Sequence, residues 1–174
     1  MLRQTENIRI REATEKDLRS LWEISARLRQ SKDADYFDQQ LERRKQDGRI
    51  VFIIAAGGED AGYCILNWEP KYAYFKAMNI PEIQDLNVLP DYRRQGLAAR
   101  LIAYCEVVAV KKGCKIMGIS FGLDASYGPA QRLYVKSGYI PDGYGVTYDR
   151  KTVQFGEFKP VDDNLCLMMV KNLT

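Results

Sequence analysis

The segment LPDYRRQGLAARL, at residues 89–101, decides the fold. It follows an apolar stretch that ends at Leu89, and after Gly96 apolar residues recur at helical spacing as far as Lys112. The segment therefore predicts a strand, a turn and a helix in succession. The first turn of a helix carries unpaired N–H groups and the positive end of the helix dipole, so it attracts anions.

Two interpretations of this turn remain open from the segment alone. Gly96 would let an anion come close to the backbone, and Arg93 and Arg94 would add charge-assisted contacts. Alternatively, Pro90 and Asp91 form a simple turn, the arginines are solvated and Gly96 packs under a neighbour. The segment lacks the GK[ST] of a P-loop and the GxGxxG of a dinucleotide fold.

Length and charge limit the classes of protein that the chain can represent. A chain of 174 residues predicts a single domain over residues 1–174 with one core. Its 26 basic and 23 acidic side chains are interspersed, with a net charge of +3, so no basic arm for nucleic acid is expected. The N-terminal stretch is charged and no apolar run has the length of a membrane span, which predicts a cytoplasmic protein without a membrane partner.

The chain contains no histidine, and its four cysteines form no CxxC pair. Histidine is the commonest general base and the commonest ligand of catalytic zinc, so serine and cysteine triads and a metal site are not expected. The chemistry must therefore use carboxylates, tyrosines, lysines, backbone dipoles or an organic cofactor.

Periodicity along the chain predicts strands that alternate with helices. The predicted helices cover 15–29, 36–48, 96–112 and 129–138, and the predicted strands cover 7–12, 49–56, 61–68, 82–89, 115–121, a start at 139–140, and 164–173. The segments 69–81 and 141–163 are predicted as loops, and the last strand is expected to close an edge of the sheet. This order favours a mixed sheet with helices on both faces.

Two motifs together resemble a known family. RRQGLA at 93–98 matches the pattern [QR]xxGx[GA] through Arg93, Gly96 and Ala98, and AQRLYVKSGY at 130–139 resembles the segment AxxLYxKxGF. Both patterns, in this order and on these elements, are typical of the GNAT superfamily of N-acetyltransferases. The resemblance covers nearly the whole chain. It implies an α/β fold with a mixed, mostly antiparallel central sheet of about six to seven strands.

The resemblance also implies a binding mode for acetyl-CoA, or another acyl-CoA, as the co-substrate. Backbone N–H groups from Gln95 to Ala99 would hold the pyrophosphate, and the strand ending near Val88 would pair with the pantetheine arm in a gap opened by a bulge. The cofactor-binding residues implied in this way are Leu86, Val88, Arg93, Arg94, Gln95, Gly96, Leu97, Ala98 and Ala99.

The implied reaction is direct attack of a primary amine on the thioester in a ternary complex. Tyr134 occupies the position of the usual general acid, which protonates the departing sulfur. Glu82 is a candidate general base, and Asp85 is a second candidate that would face the other side of a regular strand unless a bulge turns it. The competing interpretation of Tyr134 is an aromatic residue that only packs on one side of a short helix. The competing interpretation of Glu82 and Asp85 is that these carboxylates are only solvated or salt-bridged.

The acceptor is expected among the segments 29–48, 69–80 and 142–163, where aromatic residues accompany carboxylates, a combination that suits a cationic amine. Trp68, Tyr72 and Tyr127 are candidate pocket residues. Many members of the family have an asparagine at the position of Tyr127. The contact that this asparagine makes with the cofactor cannot be transferred to this chain. A small-molecule amine is the expected acceptor. An alternative acceptor is a protein N-terminus or lysine. Alternative functions are a non-catalytic CoA-binding module and an ATP-binding protein. A homodimer through the last strand is a candidate assembly.

Overall fold

The computed structural model describes residues 7–44, 46 and 48–173. The first six residues of the chain lie outside these ranges, as do Lys45 and Asp47 of the predicted helix 36–48. Eight strands of the described chain form a sheet in the order β1-β2-β3-β4-β5-β8-β6-β7. Contacts divide the chain into two compact units. The first unit comprises the described residues up to Trp68 and Gln84–Cys105, and the second comprises Glu69–Ile83 and the residues from Glu106 onward. The single domain stays a prediction.

The first unit begins with β1 (Arg9–Glu12), a 3-10 turn, α1 (Leu18–Arg27) and α2 (Tyr36–Arg44). The hairpin of β2 (Arg49–Ala56) and β3 (Glu59–Asn67) follows, and its two-residue connection consists of glycines with φ of 62° and 88°. β2 pairs antiparallel with both β1 and β3. The apolar faces of α1 and α2 pack on alternate residues of the hairpin. Together the helices and the hairpin form a core of Leu21, Ile24, Phe37, Leu41, Val51, Ile53, Tyr63 and Ile65.

Strand β4 (Glu82–Val88) and helix α4 (Leu97–Lys111) flank the turn at 89–96, as predicted. A 3-10 turn at Pro90–Tyr92 continues from the strand, and Leu89 donates its N–H to the carbonyl of Ala61 beside β4. The α4 side chains Leu97, Leu101, Ile102 and Cys105 are buried at helical spacing. The local sequence therefore fixes this strand-turn-helix unit.

The second unit contains α3 (Ala73–Ala77), β5 (Ile116–Gly122), α5 (Gly128–Lys136), β6 (Ile140–Tyr148), β7 (Lys151–Thr152) and β8 (Leu165–Asn172). The first residues of β4 pair in parallel with β5, at Glu82↔Gly118 and Ile83↔Ile119. β8 pairs antiparallel with β5 and with β6, and β6 with β7. The predicted mixed, mostly antiparallel α/β fold is confirmed, with eight strands among the described residues.

Three element predictions were wrong. The segment 69–81 contains the one-turn helix α3, which is too short to show a period and is held by the buried ring of Phe75. The segment 141–163, predicted as a loop, begins with strand β6 up to Tyr148, and the short β7 follows it. β8 is an interior strand, because β5 and β6 pair with both of its edges, as its nearly continuous apolar sequence allows.

Within the described residues, no helix combines the length and the apolar character that crossing a membrane requires.

Candidate active site

The turn before α4 has the backbone geometry of an anion seat. Arg93 is extended, Arg94 and Gly96 have φ of 60° and 78°, and the first helical hydrogen bond runs from the N–H of Arg100 to the carbonyl of Gly96 at 3.0 Å. The N–H groups of Leu97–Ala99 precede that bond, so the helix supplies them with no acceptor. They point out of the N-terminal end of a helix of 15 residues.

The space around Gly96 distinguishes the two interpretations of this glycine. A Cβ atom built on Gly96 would meet no neighbouring atom within 4 Å, so the residue is not a glycine that packs beneath another element. Its positive φ and the open space together fit a position where an anion approaches the backbone.

Cationic side chains surround the same turn. Arg93 and Arg94 are exposed, as is Arg100 one turn into the helix. Arg93 donates from Nε to the carbonyl of Val88 at 3.0 Å, and Gln95 donates from Nε2 to the carbonyl of Asp91 at 3.2 Å. The first contact holds the turn against the end of β4, and the second lies within the turn. The half-buried Leu86 and the buried Val88 lie on that strand.

Asp85 lies at an irregularity in β4 and is held by four side chains. Its φ of 47° interrupts the alternation of the strand, as expected for a bulge. Its Oδ2 accepts hydrogen bonds from Lys32, Tyr36 and Tyr63, each at 2.8 Å, and its Oδ1 accepts one from Asn87 at 2.7 Å. The carboxylate is thus the acceptor at the centre of a polar cluster in the first unit.

The tyrosines of this cluster act as hydrogen-bond donors. Burial and the nearby charge of Asp85 raise the pKa of both Tyr36 and Tyr63 far above the ordinary phenol value, so both keep their protons. The ammonium of Lys32 also lies 4.1 Å from the ring centre of Tyr36. Sequence patterns do not indicate Lys32 or Tyr63 as partners of Asp85, because both are distant from it along the chain.

Glu82, at the start of β4, is fully buried and ion-paired. Its Oε1 lies 2.7 Å from Nη1 of Arg150, and Ser120 donates to the same oxygen at 3.2 Å. Arg150 also donates to Oγ of Ser120 at 2.7 Å. The chain places Arg150 in the two-residue turn between β6 and β7, where both Asp149 and Arg150 have positive φ. Non-glycine residues rarely adopt that conformation, so the contact with Glu82 stabilises a costly turn.

Replacing Arg150 by methionine is expected to lower the free energy of unfolding by about 3 kcal/mol, because a buried carboxylate then loses its cation. Urea unfolding, followed by circular dichroism, measures the change. Arg150→Lys keeps the charge and should lose clearly less. An equal loss in both variants would show that the charge of Arg150 does not stabilise Glu82.

Tyr134, the predicted general acid, lies on α5 in the second unit. Its side chain is only 6% exposed, and its ring centre lies 6.2 Å from that of Phe121 on β5. Gly138 and Tyr139 end the helix, where the N–H of Tyr139 bonds to the carbonyl of Tyr134 at 3.0 Å. The second motif thus forms the predicted short helix with a glycine past its end.

The three predicted pocket residues have different surroundings. Trp68 follows β3 and donates its backbone N–H to the carbonyl of Gly48. Tyr127 packs its ring on Gly122, and its hydroxyl bonds to Asp163 at 3.1 Å. Burial and the charge of Asp163 raise the pKa of Tyr127. Tyr72 is buried and donates its hydroxyl proton to the carboxylate of Asp142 on β6.

Among the described residues, no group of three or more histidine, cysteine, aspartate or glutamate side chains could hold a metal ion.

Comparison with known proteins identifies the family. The sequence model of the Acetyltransferase (GNAT) family matches residues 10–139, which include both motifs. Thialysine N-epsilon-acetyltransferase of Bos taurus is 29% identical over 120 residues, which cover 62% of this chain and 70% of that protein.

Two solved structures share the fold. One is yncA from Salmonella typhimurium with its cofactor acetyl-CoA, with a TM-score of 0.69, 20% identity and coverage of 97% of this chain and 95% of that one. The other is ribosomal-protein-alanine N-acetyltransferase from Brucella melitensis, with a TM-score of 0.68, 21% identity and coverage of 94% and 99%. With the family match over most of its length, this chain belongs to the GNAT family of acetyltransferases and is an acyltransferase.

Proposed function

We propose that this protein transfers an acetyl group from acetyl-CoA to the primary amine of a small molecule, within a ternary complex. The observation that carries the proposal is the start of α4. Its unpaired N–H groups, the open space at Gly96 and the exposed arginines form a seat for a pyrophosphate.

The residues present fit the CoA moiety. The N–H groups of Gln95–Ala99 would bind the pyrophosphate, and Arg93 and Arg94 would add charge at the rim. Leu86 and Val88 would offer backbone groups to the amides of the pantetheine arm. When bound, acetyl-CoA supplies an acetyl group activated as a thioester.

Tyr134 is proposed to hold the proton that the leaving thiolate receives. A phenol with a pKa of about 10 and a thiol with a pKa of about 8.5 are close enough for a hydrogen bond or a proton transfer. Tyr134 is buried, with 6% of its surface exposed, so little water surrounds the residue.

Glu82 is proposed to accept the proton of the acceptor ammonium, through water. Arg150 and Ser120 hold its carboxylate in place. Asp85 is the second candidate, but its two oxygens already accept four hydrogen bonds. A carboxylate has about four lone-pair sites, so these donors leave Asp85 little capacity for a water or an ammonium, which favours Glu82.

Replacing Glu82 by glutamine is expected to lower kcat about 100-fold and to leave the affinity for acetyl-CoA unchanged. The same exchange at Asp85 should mainly destabilise the fold, because it removes the charge that pairs with Lys32, and should lower kcat of the folded protein less than about tenfold. Steady-state rates with saturating acetyl-CoA measure both. A larger loss of kcat in the Asp85 variant than in the Glu82 variant would show that Asp85, and not Glu82, is the base.

A small-molecule acceptor is favoured by one of the relatives in sequence, since its name specifies thialysine as the amine. The structural neighbours named for ribosomal proteins have identities below 25% and support the fold alone.

The function is tested by the release of free CoA from acetyl-CoA, across a panel of small amines and of peptides with free N-termini or lysines. We expect amine-dependent release with small molecules and little with peptides. A stronger response to peptides would favour the protein acetyltransferase. CoA binding without any acceptor-dependent release would favour a non-catalytic module.

A further inference from the structure

A second feature of the second unit is a cluster of three tyrosines and one carboxylate. It consists of Tyr72 and Tyr74, at the start of α3, and Asp142 and Tyr144, on β6. We refer to these four residues as the tyrosine–carboxylate cluster. None of the proposed catalytic roles uses the charge of this cluster.

Two hydrogen bonds hold the carboxylate of Asp142 in the cluster. Tyr72 donates its hydroxyl proton to Oδ2 of Asp142 at 2.7 Å, and the backbone N–H of Tyr144 donates to Oδ1 at 2.9 Å. The ring centres of Tyr74 and Tyr144 lie 4.6 Å apart, and those of Tyr72 and Tyr74 lie 6.3 Å apart. Tyr72 is 3% exposed and Tyr144 is 54% exposed, so the cluster has a buried base and a side that solvent reaches.

The backbone of β6 is shaped to present this cluster. Between Pro141 and Val146, β6 advances five residues while its partner β8 advances two, from Met169 to Leu167. Gly143 and Gly145, on either side of Tyr144, have φ of 90° and 80°, and a Cβ on either would meet no atom within 4 Å. Such bulges redirect side chains away from the ladder, and they are frequent beside functional sites.

The charge of Asp142 is not balanced by a cation in the described part of the chain. Its two hydrogen-bond donors, a phenol and a backbone amide, are both neutral. Burial and the hydrogen bond to Asp142 raise the pKa of Tyr72, so its hydroxyl remains a neutral donor. A carboxylate among aromatic rings attracts an ammonium through both its charge and the ring faces.

The chain contains a second tyrosine–aspartate unit. Asp162 accepts from the hydroxyl of Tyr148 at 2.8 Å and from the N–H of Asn164 at 2.8 Å. The ammonium of Lys159 lies 5.3 Å from the ring centre of Tyr148, and its ion pair is with Glu157. The ring of this unit thus has a primary ammonium near it, at the distance of a cation–π contact.

We propose that the tyrosine–carboxylate cluster binds a second, cationic nitrogen of the acceptor, which makes the substrate class a diamine or a similarly dibasic molecule. The reacting amine must lose its proton before it attacks, whereas a neighbouring carboxylate favours the protonated form of an amine. The nitrogen held at Asp142 is therefore not the one that is acetylated. This inference rests on the proposed acetyl transfer to an amine.

The test is direct binding of cadaverine, measured by isothermal titration with and without saturating CoA, and compared with the amino alcohol of the same chain length. We expect the wild-type protein to prefer cadaverine. Asp142→Asn, which keeps the shape, should weaken cadaverine binding about 10-fold or more and leave the amino alcohol unaffected. Tyr144→Leu should weaken it by a smaller factor, and its exposed position makes misfolding a minor concern.

The matched control is Asp162→Asn, which removes the same carboxylate charge from the second tyrosine–aspartate unit and should leave cadaverine binding unchanged. No binding of cadaverine, equal binding of the two probes, or equal effects of the two aspartate variants would overturn the inference. Because binding is measured without turnover, these outcomes are distinct from a failure of acetyl transfer, which would appear as cadaverine binding without any acetylated amine.

Discussion

Replacing Gly96 by glutamate is expected to lower the affinity for CoA about 100-fold or more while the chain remains folded. The carboxylate would stand at the N-terminal end of α4, in the open space that we assign to the pyrophosphate. Repulsion between the two anions and the loss of close approach together exceed about 3 kcal/mol, and each 1.4 kcal/mol corresponds to about a tenfold change in affinity.

The fold should survive because the backbone cost is modest. A non-glycine residue in the left-handed region costs about 1–2 kcal/mol, and Arg94, two residues earlier, already adopts it. No side chain packs against Gly96, so no core contact is lost.

Gly113→Glu is the matched control. Gly113 lies past the other end of α4, with φ of 87° and no atom within 4 Å of a built Cβ. The variant pays the same backbone cost and carries the same charge. Isothermal titration with CoA should give a wild-type affinity for it. Equal affinities of the two glycine variants would remove the start of α4 as the phosphate seat.

Replacing Tyr134 by phenylalanine is expected to lower kcat about 100-fold and to change the affinity for acetyl-CoA less than about threefold. General acid catalysis contributes factors of this size, and the exchange removes only the hydroxyl from a ring whose packing is preserved. Steady-state kinetics with an identified amine separate the two parameters.

Tyr139→Phe serves as the control for the loss of a buried hydroxyl. Tyr139 is also buried and follows the same helix, and its hydroxyl donates to Oε1 of Glu106 at 2.9 Å. Its loss should cost about 1 kcal/mol of stability and leave kcat unchanged. An unchanged kcat in Tyr134→Phe, with the same amine, would show that Tyr134 is only a packing residue.

The strand-turn-helix unit around 89–96 could be predicted because its signals are local. Proline, glycine and the helical recurrence of apolar residues specify the boundaries of β4 and α4 within a residue or two. The helix α3 could not be found in this way, because one turn of helix shows no period and Phe75 stabilises it by tertiary packing. The glycines of β6 indicated a loop, but they belong to a bulged strand.

The candidate carboxylates were found by resemblance, whereas their partners were not. Arg150 reaches Glu82 from a hairpin turn far along the chain, and Lys32 reaches Asp85 from the connection between α1 and α2. No spacing rule connects residues so distant in sequence. The pairing of Asp142 with Tyr72 escaped prediction for the same reason, although both segments were expected near the acceptor.

The central claim is tested most directly by incubating the protein with acetyl-CoA and a panel of mono- and dibasic amines, and identifying the products by mass spectrometry. The account predicts an N-acetylated amine with the wild-type protein and with Gly113→Glu, and none with Gly96→Glu. It is contradicted if no amine is acetylated while CoA binds, or if Gly96→Glu forms the product at the wild-type rate.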